Sequence, residues 1–385
     1  MSDVKRRDFI RVVALAGTAG GLMQLSGAWT TSSARVIQNP PSSEPQHQQA
    51  DRSADRDAWA IERSTIVVDG LDPSSLDEKY LKMLKAGGVN CWHKSMEDVQ
   101  SFADAYDFLD GHRSQIVAAT SVKEVRQAHQ DGKVALLFGW QSADILSLTS
   151  GSPPLTQLRA YYQLGLRICG IAYNLANAFG GGNLDSQIGL TREGRRLVEE
   201  IHGLDMVLDV GGHTGEQTSL DAIEMSGGVP VICSHSNIGA LNDNPRCISD
   251  RLIEAIAKTG GVIGITSFSD FHVRSRKDVN IRRSPQVGLD KHLDQYDYIR
   301  KLVGVEHVGL GPDFIEDRNF DHPDREQQPP EAYSDPPWFY VKGFENISEL
   351  PNVTQGLIER GWSPAEIRKM LGENWLRVYE KVWGS

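Results

Sequence analysis

Eight short apolar runs separated by helical patterns constrain this chain more than any other feature. The runs are Thr65–Val68, Gly88–Trp92, Val134–Gly139, Ile168–Tyr173, Val207–Val210, Val231–Ser234, Val262–Thr266 and His307–Leu310. Most lie between glycines or polar turns, as strands buried on both faces should. Helical periodicity fills the intervals, as in Leu76–Lys85, Leu155–Leu164, Arg192–Ile201, Asp250–Lys258 and Asp290–Leu302. Strand and helix alternating in this way predict an α/β protein, a (β/α)8 TIM barrel. Chemistry in such a barrel belongs at the carboxyl ends of the strands.

Reading only those ends gives a short set of candidates. The first run leads to Asp69, Gly70, Leu71, Asp72 and Pro73, and the second to His93. The third leads to Trp140, Gln141, Ser142 and Asp144, and the fourth to Tyr173, Asn174 and three glycines at 180–182. The fifth and sixth lead to His213 and His235, with Arg246 in the loop beyond; the last ends in Gly311-Pro312-Asp313-Phe314. Neutral imidazole at a strand end is a good ligand for zinc, although a lone histidine there more often only bonds a backbone carbonyl. Two in register on successive strands, beside a carboxylate, an arginine and a tyrosine, supply metal ligands, a proton carrier and an anion anchor.

Residues 1–34 read as an address. Lys5-Arg6-Arg7-Asp8-Phe9-Ile10-Arg11 has the paired arginines of a twin-arginine export signal, Val12–Leu25 is mildly apolar, and small residues follow at Gly27-Ala28 and Ser33-Ala34. That pattern predicts passage through the twin-arginine export machinery to the periplasm or the cell exterior. Residues 35–57, rich in Ser, Pro, Gln and Asp, read as a disordered linker, which leaves 58–385 for the barrel. A net charge of -11 without a basic cluster argues against nucleic acid. Cys91, Cys169, Cys233 and Cys247 are too few for a disulfide scaffold and are expected to pack as small apolar groups. Trp338, Trp362, Trp375 and Trp383 are expected in the core. The acidic, proline-rich stretch Asp317–Pro337 follows the last strand and is either a lid or plain surface.

From Thr214 to the tail, three stretches carry a resemblance: TGEQTSLDAIEMSGGVPVICSHSNIGALNDNPRCISDRLIEAIAKTGGVIGI, HVGLGPDF, and ISELPNVTQGLIERGWSPAEIRKMLGENWLRVY. On these the chain, over nearly all of 60–382, resembles the membrane (renal) dipeptidases, zinc metallopeptidases with an amidohydrolase-like barrel. The resemblance implies that His213 and His235 bind zinc, that Arg246 and Tyr173 contact substrate, and that Asp313 handles the proton. It also implies a homodimer, since relatives commonly dimerise. Leu71 and Pro73 depart from the family, standing where it has an H-x-D ligand pair, and Gln141 replaces its bridging Glu. One extra glycine stands near His213.

Glutamine keeps a carbonyl oxygen but no charge, so it does not hold two divalent ions together. Without the lost carboxylates, each buried ion would cost several kcal/mol in uncompensated charge. The expectation is therefore a single zinc on His213, His235 and Asp313 with water in the fourth position, and Asp72 and His93 as auxiliary ligands. The implied reaction is hydrolysis of a short peptide or related amide by metal-activated water. Two alternatives stay open: a catalytically degenerate barrel that binds a small zwitterion, and a mononuclear amidohydrolase acting on a non-peptide substrate.

Overall fold

The computed structural model describes residues 57–147, 154–315 and 329–384. The predicted export signal at 1–34, nearly all of the linker, and residues 317–328 of the stretch read as a lid or plain surface lie outside the described residues.

The strands are β1 (Val67–Asp72), β2 (Val89–Ser95), β3 (Ile116–Ala118), β4 (Val134–Trp140), β5 (Leu166–Gly170), β6 (Val207–Asp209), β7 (Ile232–Ile238), β8 (Cys247–Ile248), β9 (Val262–Ile265) and β10 (Val308–Leu310). Eight of them run parallel in the order β1-β2-β4-β5-β6-β7-β9-β10, a nearly closed (β/α)8 barrel. At the seam, the Asp313 N–H donates to Leu71 O at 3.1 Å. Each predicted run falls on one of these eight strands. β3 and β8, too short to show alternation, lie off the ring against β4 and β7.

The predicted ends of β1 and β7 need correction. β1 continues through Asp69 to Asp72, and β7 continues through His235 to Ile238, with every residue buried. A rule that ends a strand at its first polar residue fails where the barrel interior supplies that residue with partners. Helices begin at the polar caps that local rules require. Thr191 accepts from Gly194 N to start Arg192–Gly203, and Ser363 and Glu366 form a reciprocal capping box on Pro364–Arg368. Trp375, on the helix Asn374–Trp383, lies fully buried against the seam. A Cβ on Gly70 would lie 2.3 Å from the Trp375 ring and 2.6 Å from Leu310 O, so this close approach requires glycine.

Glu62, in the helical stretch 57–63, is 2% exposed and accepts from Thr354 Oγ1 at 2.5 Å; its Oε2 has no partner. Burial raises its pKa to about 7, against the lowering effects of Thr354 and Arg63. An acid so raised contributes stability below its unfolded pKa of 4.5 and loses that contribution as pH climbs through 7. Glu62→Gln should therefore leave stability unchanged near pH 4 and raise it by up to about 3 kcal/mol near pH 8. Denaturant melts at the two pH values test this, and equal differences at both would refute it.

Candidate active site

At the carboxyl ends of the strands a cavity of about 100 Å³ gathers Gln141, Tyr173, His213, Arg246 and Asp313. Pro73 and a wall of aromatic side chains complete it. The His213 and His235 rings lie 5.2 Å apart, tilted by 58°. Both are buried, and burial first, then the Arg246 charge, holds each well below the usual imidazole range. Both rings are therefore neutral, with one N–H and one lone pair each.

Neighbouring groups decide which nitrogen carries the proton. Ser234 Oγ donates to Asp209 Oδ2 and so must accept from His235 Nδ1, 2.8 Å away. His235 Nε2 is then a buried lone pair, and it has no hydrogen-bond partner. Asn174 Oδ1, 2.9 Å from His213 Nδ1, fixes that ring in the same tautomer. Gln141 lies 3.0 Å from His213 Nε2 and also reaches Ser95 Oγ at 3.1 Å. Gln141 Oε1 is the atom that faces His213 Nε2, and its Nε2 donates to Ser95. With Nδ1 protonated, the His213 Nε2 lone pair meets a carbonyl oxygen that cannot donate to it, an opposition that a cation between them or a turned-over amide relieves.

Asp313 has φ 60°, a left-handed conformation that Asp tolerates better than most residues. Its Oδ2 lies 4.0 Å from His235 Nε2, with the side chain 13% exposed. Burial raises its pKa to about 7, while Arg246 pulls it down.

Arg246 is 2% exposed. Its Nε donates to Gly212 O at 2.7 Å and its Nη1 to the Tyr333 hydroxyl, while Nη2 is buried without a partner. Phe271 covers the guanidinium, 4.7 Å from ring centroid to Cζ. Nη2 therefore keeps its two N–H groups for an anion. Tyr173 stacks on His213 with centroids 3.6 Å apart, which holds the imidazole plane.

The residues present do not suit the two-ion centre expected of close dipeptidase relatives, because Leu71 and Pro73 offer no donor side chain and Gln141 no charge. The single-ion trio is not drawn together in the structure as it stands. Among the described residues no three His, Cys, Asp or Glu side chains converge closely enough to hold a metal as they stand. Gln141 Oε1 sits against His213 Nε2 at 3.0 Å, and Asp313 Oδ2 is 4.0 Å from His235 Nε2. The donor chemistry still suits one ion, since His213 and Asp313 border the cavity and the His235 ring lies behind them, 5.2 Å from His213 and with Nε2 4.0 Å from Asp313 Oδ2. Asp72 and His93 do not line that cavity. Asp72 accepts from Ser74 N at 2.7 Å and from the Tyr80 hydroxyl, and His93 Nδ1 donates to Gly70 O at 2.5 Å. The four cysteines are free; Cys91, Cys169 and Cys233 are buried, and burial pushes the Cys233 thiol up to about 12.

Five cavity residues, Phe268, Phe271, Ile315, Tyr333 and Trp338, are not among the site candidates that the sequence offers. Tyr333 falls in the stretch Asp317–Pro337, read from the sequence as a lid or plain surface, and Trp338, expected in the core, lines the cavity. Trp362 and Trp375 are buried as expected.

Gly212, in the segment carrying the extra glycine, holds this arrangement together. It has φ +72°, an added Cβ would lie 2.3 Å from His235 Cε1, and its carbonyl anchors Arg246. Gly212→Ala should destabilise the fold by roughly 2–4 kcal/mol through steric overlap and backbone strain. It should also weaken anion binding; an unchanged melting temperature with unchanged binding would refute this.

A model of the membrane dipeptidase family (peptidase family M19) matches residues 88–323 and 334–383. The chain is 30% identical over 235 residues to an uncharacterized protein in the pqqA 5' region of Klebsiella pneumoniae, covering 59% of this chain and 76% of that protein. An amidohydrolase from Pseudomonas aeruginosa is similar in structure, with a TM-score of 0.74 at 25% identity over 85% of this chain and 99% of that one. The probable dipeptidase PvdM from Pseudomonas aeruginosa shares the fold, with a TM-score of 0.68 at 19% identity over 86% and 99%.

Proposed function

Since the chain belongs to the membrane dipeptidase family, peptidase family M19, and is by that membership a metal-dependent, dipeptidase-like hydrolase, we propose that it cleaves a short peptide or related small amide in the cavity lined by His213, Arg246 and Asp313, with His235 buried beside them. The observation that carries this reading is the orphaned Nε2 of His235, a buried lone pair facing the Asp313 side. One zinc ion suits that feature, with His213 and His235 as its holders and Asp313 and Gln141 as the adjoining oxygen donors. When bound, zinc supplies Lewis acidity that eases loss of a proton from water. Asp313 takes up that proton and returns it to the leaving amine. Arg246 Nη2 receives a substrate carboxylate or the oxyanion of the transition state. Tyr173 keeps His213 oriented and borders the substrate. The Asp209–Ser234–His235 chain fixes the tautomer that leaves Nε2 available, an arrangement common behind metal-binding histidines.

The twin-arginine pattern in residues 1–34 supports export, which puts the reaction in the periplasm or outside the cell. The test combines metal analysis of the purified protein with assays of Asp313→Asn against a dipeptide library. The expected result is one zinc per chain and turnover that Asp313→Asn lowers about 100-fold. A chain that takes up no divalent metal under saturating zinc and hydrolyses no amide would overturn it. The Gln141 contact with His213 favours a second reading, in which the barrel binds a small carboxylate ligand without metal. Ligand-induced thermal stabilisation indifferent to chelator, without turnover, would select that reading.

A further inference from the structure

The wall beside Arg246 bears on what accompanies the carboxylate. Phe268, Phe271, Tyr333 and Trp338 line the cavity and belong to an apolar cluster separate from the main core. Phe268 sits among the others, with ring centroids 4.9 Å from Phe271, 6.1 Å from Tyr333 and 5.6 Å from Trp338, the last pair edge-on at 77°. Tilted and edge-to-face pairs are the favoured arrangement of aromatic rings. An incoming ring extends such a cluster where a hydrogen or a methyl does not. Phe271 also covers the Arg246 guanidinium, so the anion anchor and the aromatic wall share a residue.

The wall is held in place rather than adaptable. Tyr333 and Trp338 come from the segment after β10, and that segment is pinned at several points. Ser334 N and Oγ donate to Asp270 at 2.6 and 3.1 Å. Arg274 donates twice to Pro330 O, at 3.1 and 2.5 Å, and Asn244 Nδ2 donates to Ala332 O at 3.0 Å. A wall ordered before binding spends little further entropy on its ligand. The cavity, about 100 Å³ and open to solvent, is of the order of the roughly 150 Å³ that takes up benzene.

We infer that the site selects an amide whose carboxyl-terminal half is an aromatic amino acid, with its carboxylate on Arg246 Nη2 and its ring against Phe268, Phe271, Tyr333 and Trp338. The inference rests on the hydrolase reading only for the amide; recognition of a carboxylate next to a ring requires no turnover.

Calorimetric binding to the full-length protein tests it with three ligands that lack an amide. These are 3-phenylpropanoate, with carboxylate and ring; propanoate, without the ring; and 2-phenylethylamine, without the carboxylate. The first should bind at least tenfold more tightly than either of the others. Trp338→Ala should reduce its advantage over propanoate to about threefold or less, and Trp338→Phe should restore most of it. Equal affinity of the wild-type protein for 3-phenylpropanoate and propanoate overturns the inference. Should Trp338→Ala fail to melt cooperatively, the wild-type panel and Trp338→Phe decide the matter. Dipeptide assays separate the two readings. Turnover without preference for an aromatic carboxyl-terminal residue overturns the inference and leaves the hydrolase standing. Ring-selective binding without turnover of any amide supports the inference and overturns the hydrolase.

Discussion

Arg246→Ala is expected to lower kcat/KM for carboxylate-bearing amides by about 1,000-fold, the scale of losing a preorganised, water-excluded donor. Nη2 is the one guanidinium nitrogen left without a partner among the described residues, and Arg246 lines the cavity. A charge-assisted bond made there escapes the screening that weakens surface pairs. Part of the loss would come through position, because Arg246 Nε also holds Gly212 O and hence the turn that carries His213. Arg246→Lys separates the two contributions. Lysine restores charge without the planar fork, so it should recover no more than about a tenth of the lost activity. Amides lacking a carboxylate should respond far less to either change. Equal losses for both substrate classes, with unchanged melting temperature, would show that Arg246 does not read the carboxylate.

The barrel was legible because strands covered by helices are apolar on both faces, and eight such runs leave few alternatives. The strand ends were harder to read. Asp69, Asp72, His235 and Asn237 lie in strands although each is polar, because interior partners replace water. His213, His235, Arg246 and Asp313 could be picked out by chain position, since the architecture sends strand ends to one face. Their detailed roles depend on contacts across the barrel. Only the folded chain shows that Ser234, bonded to Asp209, sets the His235 tautomer, or that Gln141 lies against His213 Nε2. Tyr333 and Trp338 were missed for a related reason. They reach the cavity on a segment returning after the last strand, where no periodic pattern marks which side chains turn inward. His93 lies inside β2 rather than at its end; its Nδ1 is bonded to Gly70 O, its Nε2 is buried without a hydrogen-bond partner among the described residues, and it does not line the cavity.

Gln141→Glu is expected to raise zinc affinity by roughly 100-fold, the upper range for changes that alter how a metal's ligands are held. As it stands, Gln141 contributes a neutral amide 3.0 Å from His213 Nε2, so a divalent ion there gains no charge. A glutamate at the same position has no N–H to offer the His213 lone pair, and it repels that lone pair unless a cation lies between them. The carboxylate also offsets part of the ion's charge, which is the main cost of burying it. The substitution is nearly isosteric, and Ser95 Oγ, now 3.1 Å from Gln141 Nε2, can turn to donate to the carboxylate. The readout is metal affinity by calorimetry, with far-UV circular dichroism to confirm the fold, so the result does not depend on knowing the substrate. In the absence of metal, the introduced carboxylate is a partly buried charge without a counter-ion, and the variant should melt lower than wild type. Added zinc should reverse that order, by an amount that grows with free metal concentration. If zinc affinity stays within threefold of wild type while the fold is intact, the lone pairs of His213 and His235 are not poised for a cation, and the metal-dependent reading of this cavity fails with them.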